Sequence, residues 1–144
     1  MQVVINSIRF KGSFLNGPGI RTLLFLQGCD ICCGNCHNEG AWDINKGEKM
    51  EIDELVASIY KECKNKKITI TGGEPLYQLL ALEELLEKLN DFDICLYTGH
   101  DVSEVPDEII LHLRYLKYGK YDERLRCTDR PFIGSTNQKF IRLR

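Results

Sequence analysis

Lys67-Ile68-Thr69-Ile70-Thr71-Gly72-Gly73-Glu74-Pro75 is the stretch that decides the fold class. Its first five residues are rich in β-branched side chains and read as a strand, which the two glycines stop. Downstream, Leu79, Leu82, Leu85, Leu86 and Leu89 share one face, with Glu83, Glu84, Glu87 and Lys88 elsewhere. That spacing predicts an amphipathic helix over Leu79 to Leu89. Phe92 to Tyr97 then reads as another strand. A strand, a helix and a strand in succession make a β-α-β unit, hence a parallel pair.

The same alternation extends in both directions. Ile52, Leu55, Val56 and Ile59 recur at helical spacing before the unit. Further upstream, the dense turn signal Asn16-Gly17-Pro18-Gly19 leads into a buried strand, Thr22 to Leu26, and Val3 to Ile8 suits a short strand. Beyond Thr98-Gly99-His100-Asp101, a short helix is expected around Asp107 to His112, a strand near Arg114 to Tyr118 and a last strand near Lys139 to Leu143. Lys46 to Glu51 is charge-rich and reads as a solvated loop. The expected class is α/β with a mostly parallel sheet. A complete eight-unit β/α barrel takes about 250 residues, so 144 residues predict a partial (β/α) barrel. With no repeat, low-complexity tract or linker to divide it, residues 1–144 are expected to form one domain.

Lys and Arg number 19 against 21 Asp and Glu, a net charge of -2, so composition offers no electrostatic footprint for nucleic acid or a membrane surface. Apolar stretches such as Leu23 to Leu26 fall far short of the roughly 20 residues that span a bilayer, and Met1 to Phe10 lacks a signal-peptide pattern. The expectation is a soluble, cytoplasmic protein.

In sheets of this kind ligands sit at the carboxyl ends of the strands, where loops converge. Three loops there carry unusual residues: the window from Cys29 to Cys36, the turn Gly72-Gly73-Glu74-Pro75, and Thr98-Gly99-His100. Four of the seven cysteines (Cys29, Cys32, Cys33, Cys36) fall within the first, where even scattering would put roughly 0.4. An odd count and the adjacency of Cys32 and Cys33 argue against a disulfide framework and for metal binding. Cys29, Cys33 and Cys36 have the spacing C-x3-C-x2-C. Three thiolates on a four-iron cluster leave one iron open to chelation by a substrate or cofactor. Spacings through Cys32 are available too, and a structural zinc held by Cys29, Cys32 and Cys36 or His37 is the bland alternative. Cys63, Cys95 and Cys127 stand alone, and the first two read as buried core thiols.

Asn16-Gly17-Pro18-Gly19-Ile20-Arg21-Thr22, then Phe25-Leu26-Gln27-Gly28-Cys29, then Cys33 and Cys36-His37-Asn38, resemble the opening of the radical S-adenosylmethionine (SAM) activases of glycyl-radical enzymes. Within that family the chain most resembles the branch that activates anaerobic (class III) ribonucleoside-triphosphate reductase, because it is short and carries no additional ferredoxin-like insert. Tyr118-Gly119-Lys120-Tyr121 and Gly134-Ser135-Thr136-Asn137-Gln138 look like that branch's closing segments. The resemblance covers nearly the whole chain and implies a radical SAM type of partial barrel.

The resemblance implies that Cys29, Cys33 and Cys36 hold a [4Fe-4S] cluster and that SAM chelates the remaining iron through its amino and carboxylate groups. Asn35, Cys36 and His37 would lie against SAM. Asn35 departs from the aromatic residue that often precedes the third cysteine. Gly72, Gly73 and Glu74 look like the glycine-rich SAM motif, with Glu74 where Asp is frequent, and Thr98 would border the nucleoside. Glycines there let the backbone approach a ligand. One-electron reduction of SAM would yield methionine and a 5′-deoxyadenosyl radical, which takes a hydrogen atom from a glycine of the reductase; a flavodoxin or ferredoxin would supply the electron. Apart from the cluster and SAM, no catalytic residue is implied. Arg21 and Gln27 flank the cysteine window, where they could serve the cluster or a partner; for Arg21 a solvated charge is an equal reading. Trp42 and Tyr60 read as core or rim aromatics.

Overall fold

A computed structural model describes residues 1–31 and 39–144. Seven strands form one open sheet in the order β3-β1-β2-β4-β5-β6-β7. They are β1 (Gln2–Ser13), β2 (Arg21–Leu26), β3 (Glu48–Glu51), β4 (Lys67–Gly72), β5 (Asp93–Tyr97), β6 (Tyr115–Tyr118) and β7 (Lys139–Arg142), with helices α1 (Ile52–Glu62), α2 (Leu79–Lys88) and α3 (Asp107–Ile110). The centre, β2-β4-β5-β6, is parallel throughout; β1 and β3 on one side and β7 on the other join antiparallel. The α/β class and partial-barrel architecture expected from the sequence are what the structure has.

Strand alternation sorts the sheet into two faces. Leu24, Leu26, Ile68, Ile70, Ile94, Leu96 and Leu116 join Leu55, Ile59, Leu82, Leu85, Leu86, Leu89 and Ile109 of the helical layer in one core. The alternate positions, Arg21, Leu23, Thr69, Cys95 and Tyr97, are also buried but face away from that core. They are covered in part by the loop between β1 and β2: Thr69 donates to the Asn16 carbonyl at 2.6 Å and Arg21 to the Pro18 carbonyl at 2.9 Å.

Two expectations are corrected. Lys46 to Glu51 is not simply a solvated loop, since Glu48–Glu51 pairs antiparallel with residues 2–5 of β1. Glu48, Lys49 and Glu51 stay exposed while their backbone pairs, a charged edge strand that periodicity cannot reveal. Arg21 is not a solvated charge: it is fully buried, and its guanidinium donates to Thr69, Pro18, Ile68 and Asp93. Gly17 explains how the loop can cover it, because its φ of +105° lies in the left-handed region and the chain there runs close to the Cys95 sulfur. Cys63 and Cys95 are buried as expected. Tyr60 sits at the rim, edge-on to Phe92. Among the described residues no helix is long and apolar enough to cross a membrane.

Candidate functional site

Residues 28–31, where the cysteine window begins, meet the other two loops singled out from the sequence at the carboxyl edge of β2, β4 and β5. Where β2 ends, the Gly28 amide donates to the Ala41 carbonyl at 2.6 Å and the Cys29 amide to the Trp42 carbonyl at 3.1 Å. These two bonds close the base of the cysteine loop, with half-exposed Cys29 just inside it. Gln27 reinforces the closure: its amide group donates to the carbonyls of Gly40 (3.0 Å) and Asp43 (2.8 Å) and its oxygen accepts from Asn6 at 3.1 Å. Gln27 thus supports the cysteine loop without lying in it. Cys32, Cys33, Asn35, Cys36 and His37 lie outside the described residues.

The turn after β4 is pressed against this base. Gly73 donates to the Leu26 carbonyl at 3.1 Å and Glu74 to the Gly28 carbonyl at 2.8 Å. A Cβ on Gly73 would collide with the carbonyl oxygens of Gly28 and Ala41, and one on Gly72 would collide with the Leu26 backbone. The glycines therefore let two backbones touch, whatever else they approach. Pro75 begins a short 3-10 turn, Pro75–Gln78, in which the Leu76 amide donates to the Glu74 carboxylate and the Tyr77 amide to the Glu74 carbonyl.

Glu74 is the hinge pin of the site. Only 1% exposed, its carboxylate accepts from the Thr98 hydroxyl (2.8 Å), the Gly99 amide (2.7 Å) and the Leu76 amide (3.0 Å). Burial pushes its pKa above the ordinary carboxylate value, while those hydrogen bonds and nearby His100 pull it back. The third loop closes on the first as well. The Ile31 side chain lies against Gly99, and His100 faces Asp30 at 3.4 Å and Glu104 at 3.0 Å. Burial lowers the His100 pKa, but Glu74, Glu104 and Asp30 outweigh it and hold the pKa above its usual value.

One participant, Gln78, carried no sequence signal. Gln78 ties the turn to both β1 and β2, donating to the carbonyls of Val4 (2.7 Å) and Gln27 (2.9 Å). A fourth loop joins after β6, where the Gly119 amide donates to the His100 carbonyl at 3.0 Å. It is held by Gln138, which donates to the Gly119 carbonyl at 3.0 Å, and Asn137, which donates to that of Lys120 at 2.7 Å. The two closing segments noted in the sequence are thus bonded to one another. The donor chemistry suits an iron-sulfur cluster: the Cys29 thiol stands just past the end of β2, and the sequence that follows carries further cysteines.

The chain is similar to known proteins. The chain is similar to the pyruvate formate-lyase-activating enzyme of Staphylococcus epidermidis, 33% identical over 146 residues that cover 88% of this chain and 58% of that protein. The corresponding enzyme of Staphylococcus aureus is 30% identical over 149 residues, with the same coverage. The chain thus spans a little over half the length of these curated relatives. Among solved structures it resembles QueE from Escherichia coli, with a TM-score of 0.52 and 27% identity over 69% of this chain and 53% of that one. Residues 15–141 match the family model described as a 4Fe-4S single cluster domain, and on that match the chain belongs to this family.

Proposed function

We propose that residues 1–144 form the radical SAM domain of a glycyl-radical-enzyme activase. The observation that carries this reading is the junction of the cysteine-loop base, the Gly-Gly-Glu-Pro turn and Thr98–His100 at one sheet edge, locked by Glu74. Membership of the 4Fe-4S family supports the cluster, and relatives named as activating enzymes support the activity. Cys29, Cys33 and Cys36 would hold the cluster, and Asn35, Cys36, His37, Gly72, Gly73, Glu74 and Thr98 would contact SAM. When bound, cluster and SAM supply a one-electron reductive cleavage that ends in hydrogen abstraction from a glycine. Its electron would come from a protein such as a flavodoxin or ferredoxin. This chain's own residues do quieter work: Glu74 fixes the β5 loop against the β4 turn, Gln27 and Ala41 hold the cysteine loop at its base, and Ile31 shields Gly99.

The proposed substrate is anaerobic ribonucleoside-triphosphate reductase, a reading supported by the closing segments Tyr118–Tyr121 and Gly134–Gln138. Pyruvate formate-lyase is the second reading, favoured by the names of the curated relatives. Anaerobic reconstitution with iron and sulfide, followed by paramagnetic resonance of the reduced protein with and without SAM, tests the cluster. Incubation with each glycyl partner then tests the substrate. A SAM-sensitive four-iron signal and a glycyl radical on the reductase alone support the proposal. A radical on the lyase alone transfers it, and tightly bound zinc without iron or sulfide replaces it with a metal-stabilised interaction module.

A further inference from the structure

Among the described residues, Trp42 Nε1, Glu84 Oε2, Arg114 Nε and the Tyr97 hydroxyl are buried without a hydrogen-bond partner, and the last of these lies on the strand that leads into Thr98. Tyr97, the last residue of β5, is 8% exposed, and its hydroxyl has no hydrogen-bond partner among the described residues. An unsatisfied buried hydroxyl is costly and rare, so its presence calls for a ligand. Tyr97 pairs in register with Lys117 of β6, whose ammonium lies 4.1 Å from the phenol ring centroid. Their neighbours Leu96 and Leu116 belong to the core under the helices, so Tyr97 and Lys117 both stand on the opposite, helix-free face. The pair is continuous with the site, because the Thr98 amide donates to the Lys117 carbonyl at 2.9 Å while the Thr98 hydroxyl holds Glu74.

Both groups are hydrogen-bond donors. Burial holds the phenol protonated well beyond its ordinary range, and an ammonium can only donate. They therefore fit an acceptor oxygen carrying negative or partial negative charge. Tyr97 on β5 and Lys117 on β6 stand two and three ladders, about 10 and 14 Å, from β2, at whose end Cys29 lies. A polypeptide entering along the helix-free face presents carbonyl oxygens at that position.

We propose that Tyr97 and Lys117 form a donor pair that binds backbone carbonyl oxygen of the glycine-bearing segment of the protein substrate and holds it on the helix-free face beside the SAM site. This inference rests on the activase reading for the identity of the substrate, but not for its test. Fluorescently labelled synthetic peptides carrying the glycine segment of each candidate partner are titrated into the reconstituted protein and its variants, with SAM affinity measured in parallel by calorimetry. Tyr97→Phe should weaken peptide binding about fivefold, the size of one net hydrogen bond, and Lys117→Met about tenfold or more. Lys117→Arg should restore most of the affinity, and SAM affinity should stay within about twofold of the parent in every variant. Tyr97→Phe should also leave the melting temperature unchanged or raised, because it removes an unsatisfied group.

Equal peptide binding by parent and Tyr97→Phe, loss of SAM affinity in step with peptide affinity, or a clear fall in melting temperature for Tyr97→Phe would each overturn the pair's assigned role; so would failure of the parent to bind any of the peptides. The activase reading has its own readout, 5′-deoxyadenosine formation by the parent protein. Absence of that product with intact, Tyr97-dependent peptide binding would remove the activity and keep the binding pair.

Discussion

At Glu74 a single carboxylate serves three donors from two loops, and its removal leaves the Thr98 hydroxyl and the Gly99 amide unpaired in a buried setting. Glu74→Ala is therefore expected to destabilise the fold by about 2–4 kcal/mol, whereas Glu74→Gln, which keeps an acceptor oxygen, should lose about half as much. Thermal melts of the two variants check this; equal melting temperatures would show that the carboxylate does not join the loops. Cys95 offers a second test at this scale. Burial, only partly offset by the Arg21 charge and a hydrogen bond with Thr69, pushes its thiol up to about 12. The folded state then holds its proton more tightly than the unfolded state, whose thiol titrates near 9. Its contribution to stability is complete below pH 9 and is lost as pH rises toward 12. Alkylation at pH 8 should label Cys95 only after denaturant unfolds the chain, as mass mapping would show. Cys29, half-exposed at the start of the cysteine window, should react in the native apoprotein.

Between elements, the decisive contacts are backbone to backbone. The turn after β4 touches the end of β2 so closely that a methyl group on Gly73 meets the carbonyl oxygens of Gly28 and Ala41, while Gly40 has nothing within 4 Å of the same added atom. Gly73→Ala should cost about 2–4 kcal/mol and displace the cysteine-loop base, and Gly40→Ala should fall within about 0.5 kcal/mol of the parent. Denaturant titration of the apoproteins separates the two. Much of this level was legible beforehand. β4, α2 and β5 lie where alternation and helical periodicity put them, since each buries one well-defined face. β3 was not legible, because an edge strand with exposed side chains has no apolar alternation to display. The β1 strand likewise runs to Ser13, well past Ile8, because pairing with β2 and not its own side-chain pattern sets its length.

Across the whole molecule, Arg21 connects parts that are remote in the chain. Its guanidinium reaches the loop at Pro18, the β4 backbone at Ile68, and Asp93 at the start of β5, with which it forms an ion pair at 2.8 Å. Arg21→Met would leave the Asp93 carboxylate and the carbonyls of Pro18, Ile68 and Asp93 without this donor, an expected loss of about 3–5 kcal/mol. That is a large share of the stability of about 5–15 kcal/mol typical of a domain. Chemical denaturation of the apoprotein measures it, and a loss under about 1 kcal/mol would show that the buried pair is replaceable.

The amino-acid sequence by itself determined the order of strands and helices apart from β3, the three loops singled out at the sheet edge, and the cysteine spacing that points to a cluster. Those properties follow from local periodicity, turn chemistry and the clustering of one residue type. Only the tertiary structure decided that Arg21 is a buried strut, that Glu74 fastens two loops, and that Tyr97 and Lys117 share the helix-free face. The reason is physical: the partners of these polar side chains are set by which strands lie side by side. Arg21 of β2 and Asp93 of β5, which meet across β4, are 72 residues apart in the chain.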